Sequence, residues 1–176
     1  MRLIPKPTRK RIEVWLARTG LVVIPSLPRR AVVGLARALG ALASLVPVRA
    51  RAVGLANLDI AYGSSIDARR KREILRQSFQ TFTLLLIDTF WFTRDSEKRI
   101  ARWVAFAPDA ERIFVPRRQV CVTGHFGNWE IIGQAVALRG HPLMSVATPL
   151  ANPAVDELFN RMRRRGRRAP GGRRSP

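Results

Sequence analysis

The stretch "TGHFGNWEIIGQ", residues 123–134, sets one of two histidines, His125, five positions before Glu130. An imidazole and a carboxylate at that separation suit general base catalysis. A loop folding back over five residues brings the carboxylate to one ring nitrogen, fixes the tautomer and leaves the other nitrogen to take a proton. The pair is then two thirds of a triad. The missing nucleophile can be a substrate hydroxyl, which attacks an acyl thioester once His125 has taken its proton. Gly124 and Gly127 would let backbone and substrate approach closely. Asn128 is placed to cap a helix whose free N–H groups could face an anion or a developing oxyanion. By spacing alone, a histidine and a glutamate in one turn are more often structural than catalytic.

Other chemistries have less to stand on. A metal would want three or more ligands, and His141 lies in the following turn without a clustered acidic partner, so no metal site is expected. Cys121, four residues before His125, is conceivable as a nucleophile. Its alternation with Val120 and Val122 predicts instead an apolar strand residue, a poor setting for a thiolate. As the only cysteine it can form no internal disulfide, which fits a cytoplasmic setting.

The elements that must position the pair follow from local pattern. "RQVCVT" is β-branched and predicts a strand, "GHFGNW" a turn, "EIIGQAVALRG" a helix closed by Gly140, and "PLMSVAT" a second strand. The expectation is a βαβ unit over 118–150. It would put His125 just past the carboxyl end of a strand and Glu130 in the first turn of the next helix, where open α/β sheets place their active sites. Upstream, Ser64 to Asp67 is a capping-box-like start. Ile74, Leu75, Phe79, Phe82, Leu86 and Phe90 then recur as the core stripe of a long helix. Its end, "LLLIDTFWF" at 84–92, is apolar enough to line an acyl-chain groove, with simple packing the plainer reading. A shorter helix is predicted from Ser96 through Val104.

The amino-terminal third, residues 1–60, reads as helices facing a membrane. From Leu21 to Val48 the chain is mostly apolar, yet Arg29, Arg30 and Arg37 interrupt it and Pro25, Pro28 and Pro47 break it. The longest uncharged run, Ala38 to Val48, is too short to span about 30 Å of hydrocarbon. Arg30 and Arg37 share one helical face and Leu35, Leu39 and Leu42 another, as in a helix lying among headgroups; an ordinary amphipathic core helix fits the same pattern. "KPTRKRIEVWLARTG" adds basic residues and Trp15. No small-residue cleavage site follows a compact apolar core, so a cleavable signal peptide is not expected.

Length and composition, 176 residues at 47% hydrophobic, allow one domain with a real core. The formal charge is +20, and setting aside the eight arginines of residues 161–176 still leaves +12 on the first 160. Such a surface seeks anions, whether membrane, acidic protein or nucleic acid. Nucleic acid ranks last, because the arginine tail has no interleaved aromatic platform.

"GHFGNWE", followed by "ALRGHPLMSVATPLANPAVDELFNRMRRR", resembles the lipid A biosynthesis acyltransferase family, the lauroyl and myristoyl transferases of lipopolysaccharide assembly. The similarity runs from the amphipathic amino-terminal helices through "LANLDIAYG" to about Arg165. The resemblance implies that His125 is the general base and Glu130 its orienting partner. It also implies a partial acyltransferase-like domain over 1–165, α/β in class. Gly124, Gly127, Asn128 and Asn152 of the "PLANP" segment complete the candidate site as substrate-binding residues. The implied donor is an acyl chain on the phosphopantetheine of acyl carrier protein, with no other cofactor. The implied acceptor is a hydroxyl of an anionic glycolipid at the cytoplasmic face of the cell inner membrane. An inactive fragment acting only as a basic membrane-binding module is the rival expectation. Two departures stand out. Thr148 occupies a position where the family usually has an arginine, and the family continues with further strands and helices where this chain turns to "GRRAPGGRRSP". That implies a missing C-terminal half and a disordered basic tail over 166–176.

Overall fold

Proline punctuation divides the amino-terminal half as its positions require. In the computed structural model, which describes residues 5–115, 120–124, 126–141, 143–144 and 148–166, α1 spans Lys6–Val23 and gives way to a short 3₁₀ turn, Ile24–Ser26, holding Pro25. Pro28 then precedes α2 (Arg29–Leu45), and Pro47 separates α2 from α3 (Arg49–Tyr62). Proline lacks a donor and disfavours helical dihedrals in the residue before it, so each break falls at or beside one. α4 (Ala68–Trp91) and α5 (Ser96–Trp103) follow, then a 3₁₀ segment Pro108–Phe114, α6 (Trp129–Leu138) and α7 (Pro153–Gly166). Asp67 caps α4 directly, its carboxylate accepting from the Arg70 N–H at 2.7 Å. It is thus the cap itself rather than the far end of a box opened by Ser64.

The expected α/β architecture is not what forms: among the described residues there is no strand, and the protein is mostly helical. Of the predicted βαβ unit only the helix, α6, is seen. Residues 118–119, 142 and 145–147 of the two predicted strands, and 167–176 of the predicted tail, lie outside the described residues. The physical reason is visible at Val120 and Val122, both more than nine-tenths exposed. Alternating β-branched residues favour extended backbone, but a strand needs a neighbour to take its N–H and C=O groups and cover its apolar face. Cys121 is accordingly exposed, not packed in a strand.

The chain divides into two compact units, 1–26 with 89–176, and 27–88. In the second, α2 buries Val32, Ala36, Gly40 and Ser44, a stripe spaced by four residues on one helix face. These are small side chains, and the approach they permit is close. A Cβ on Gly40 would stand 2.4 Å from the Gln80 Cα of α4, and the Gln80 side chain donates to the Arg37 carbonyl at 3.0 Å. Arg29, at the start of α2, forms a two-pronged ion pair with the buried Asp88. Lys71 joins α4 to α3 through Asp59 and the Gly63 carbonyl, each at 2.6 Å. Leu35, Leu39, Leu42 and Leu45 meanwhile point outward.

In the first unit α1 packs on α7, α7 on α6 and α6 on α5. Phe90 sits between Gly20 of α1 and the edge of Phe159 of α7, ring centroids 5.8 Å apart. Of the "LLLIDTFWF" run, Trp91 and Phe92 are buried in this unit and Leu85 and Ile87 in the other, so these side chains fill space and do not line an open groove. Among the described residues no single helix is long and apolar enough to cross a membrane. α2 and α3 together have the length and composition, but they are bent by 85° at their break.

Candidate active site

Glu130 lies in the first turn of α6, and the residues before it explain why the helix starts there. The Asn128 side chain accepts from the Ile131 N–H at 3.2 Å, satisfying one of the donors a helix start leaves open. Gly127 has φ +61°, a left-handed conformation that favours glycine. The Gly124 carbonyl accepts from the Phe126 N–H at 2.8 Å and from the Thr123 hydroxyl at 3.2 Å, closing a tight turn. A Cβ on either Gly124 or Gly127 would meet open space, so there is room beside the turn. At its far end α6 closes on Gly140 at φ +84°, as expected.

Gly124, Gly127, Asn128 and Glu130 therefore sit on one continuous loop and helix start. His125, predicted between them, lies outside the described residues. Asn152 is placed differently. It is 6% exposed, and its amide donates to the Lys10 carbonyl at 3.0 Å and to Glu13 Oε2 at 2.9 Å. Its side-chain oxygen accepts from the Ala154 N–H at 3.3 Å. Both its N–H donors are engaged inside the protein, where they tie α1 to the start of α7. Among the described residues no set of three or more His, Cys, Asp or Glu side chains gathers as a metal ion would require.

Two supports were not foreseen from sequence. Arg139, just past α6, stacks on Phe106 and Phe114 at 4.5 and 4.4 Å from their centroids and pairs with Glu111 at 2.8 Å. The His141 ring lies 5.1 Å from that of Phe114, so this histidine packs against the same cluster. The contacts anchor the 3₁₀ segment against the end of α6. Arg99 of α5 lies 4.0 Å over the Trp91 ring and donates to the carbonyls of Trp91 and Pro25, the latter at 2.7 Å. Desolvation lowers its pKa, the nearby Arg94 adds to the effect and Asp95 opposes it. Neither arginine announces itself in a helical pattern, because its partners are distant in sequence.

Residues 6–169 match the model of the bacterial lipid A biosynthesis acyltransferase family. The chain belongs to that family. No curated protein and no solved structure matches it. Membership makes this chain a lipid A acyltransferase relative by sequence, and it agrees with the resemblance carried by "GHFGNWE".

Proposed function

We propose that the protein transfers a fatty acyl chain from the phosphopantetheine thioester of acyl carrier protein to a hydroxyl of an anionic lipid A precursor, at the cytoplasmic face of the inner membrane. In this reading the His125 imidazole takes the proton of the acceptor hydroxyl. The oxygen attacks the thioester carbonyl, forming a C–O bond. The tetrahedral intermediate collapses with cleavage of the C–S bond, and the departing thiolate recovers the proton from the imidazolium. Glu130 holds the imidazole in the required tautomer, and N–H groups at the start of α6 offer donors to the oxyanion.

The observation that carries the proposal is the family match over residues 6–169. The capped start of α6, with Glu130 in its first turn, supports the assignment of roles. The +20 charge suits an acidic carrier and a phosphate-bearing acceptor. The outward leucines of α2 suit a membrane surface. The test is acyl transfer from an acyl carrier protein thioester to a lipid A precursor in mixed vesicles, comparing the chain with His125→Ala. Removing a general base costs about 10²- to 10⁴-fold. Equal turnover by the two proteins would remove His125 from the chemistry, and turnover with a different acceptor class would reassign the substrate.

A further inference from the structure

α1 carries a surface that the roles proposed for His125 and Glu130 do not involve. Lys10, Arg11, Trp15 and Arg18 line a groove of about 340 Å³ whose floor includes Asn152 and Ala154. All four are exposed, and none of the three cations forms an ion pair among the described residues. Of the carboxylates on the adjoining helices, Glu13 is taken up by Arg9 at 3.3 Å and by the Asn152 amide, Asp156 accepts from the Leu150 N–H and from Asn160, and Glu157 pairs with Arg161. The groove therefore presents uncompensated positive charge. With both N–H donors of Asn152 committed, that residue shapes the floor and the cations are left to do the binding.

Beside the groove runs an apolar arc. Ile12, Trp15, Leu16, Val22 and Val23 are exposed, Trp15 by 64%. At 100° per residue they cover one side of α1, and Arg11 and Arg18 fall at its edge next to Trp15 and Val22. The two surfaces thus meet at Trp15. A tryptophan between an apolar stripe and flanking cations is the arrangement a bilayer interface favours: the ring at headgroup level, apolar side chains below, cations reaching phosphates. A soluble phosphate ester would leave the arc uncovered. An acidic protein would engage the charges without needing Leu16, Val22 and Val23.

We propose that this groove of α1 is a binding site for the phosphate of an anionic phospholipid headgroup, with the Ile12–Val23 arc seated in the acyl boundary beneath it. The inference rests on the membrane-surface part of the functional reading and not on its chemistry.

The test uses the full chain and vesicles of phosphatidylcholine with or without phosphatidylglycerol. The triple variant Lys10→Gln, Arg11→Gln, Arg18→Gln is set beside a charge-matched control, Arg69→Gln, Arg72→Gln, Arg76→Gln, whose residues are exposed on α4. Each cation near an anionic surface contributes roughly fivefold, so the α1 variant should bind phosphatidylglycerol vesicles about a hundredfold more weakly. The control should change binding far less. Quenching of tryptophan emission by brominated lipid should fall when Trp15 is replaced by Phe, a readout that does not depend on charge. Equal losses in the two triple variants would overturn the proposal in favour of diffuse attraction. So would binding of glycerol phosphate that protects Trp15 as well as vesicles do. Loss of acyl carrier protein binding, with vesicle binding intact, would assign the face to an acidic protein. His125→Ala should keep full vesicle binding, so failure of the acyl-transfer reading and failure of this one are told apart.

Discussion

The unit 27–88 and the motif-bearing stretch 120–144 solve opposite problems. The first closes on itself: small residues of α2 lie against the α4 backbone, Asp88 is buried against Arg29, and Lys71 clamps α3 to α4. The second exposes Val120, Val122, Phe126 and Met144, each more than nine-tenths open to solvent. Its helix, α6, is held by a side-chain cap and by Arg139 stacked on two phenylalanines. Scaffold here is made by close helix-on-helix packing, whereas the loop proposed to do chemistry depends on apolar cover that no described residue supplies.

Amide hydrogen exchange would break this comparison most directly. Amides in the interior of α4 near Leu75 and Leu85, both buried, should exchange only through global opening. Those of Cys121 to Gly124, outside any helix or strand, should exchange with almost no protection, a difference of several orders of magnitude. Equal protection would mean that 121–124 is covered after all.

Two substitutions sharpen the picture of the closed unit. Asp88→Ala should destabilise by about 3 kcal/mol, the lower end for breaking a buried pair because the Arg29 side chain keeps 19% exposure. Denaturant unfolding reads the loss, and Arg29→Met with Asp88→Leu should recover much of it. Gly40→Val comes next, at about 1–3 kcal/mol. Its Cβ would meet backbone atoms of Gln80 at 2.4 and 2.7 Å, which cannot rotate away as a side chain would. An unchanged midpoint for Gly40→Val would show that α2 and α4 separate at little cost.

What the sequence discloses follows the same division. Helix ends were legible where one residue type dictates them: Pro28 and Pro47 around α2, Asn128 and Gly140 around α6; the start of α4 was placed three residues early, at Ser64 where Asp67 is the cap. The arginine face and the leucine face of α2 were legible, and both are exposed. The face that turns inward was not, since hydrophobic pattern marks the leucines, for headgroups or core alike, and the close α4 contact instead selects the small residues Ala36, Gly40 and Ser44. The strands failed for a related reason: "VCVT" records a preference for extended backbone, but the pairing that makes a strand belongs to residues elsewhere. Asn152 shows the limit for single residues. Its place in "PLANP" suggested substrate contact, and only the fold reveals that its amide is spent on Lys10 and Glu13.

The smallest expected effect falls on the motif itself and separates its two roles. Asn128→Ala removes the cap from α6 and should cost about 1 kcal/mol of stability. Asp is an equally good cap, so Asn128→Asp should restore that stability, with its negative charge favourable at a helix start. The same charge sits where the proposed reaction develops an oxyanion, and there it is repulsive. If the start of α6 faces the oxyanion, the Asp variant should fold like the parent and transfer acyl chains more slowly than the Ala variant does. If the oxyanion develops elsewhere, the Asp variant should match the parent in both unfolding midpoint and rate. Measuring the two quantities on the three proteins decides whether the helix start at α6 is scaffold alone or part of the site.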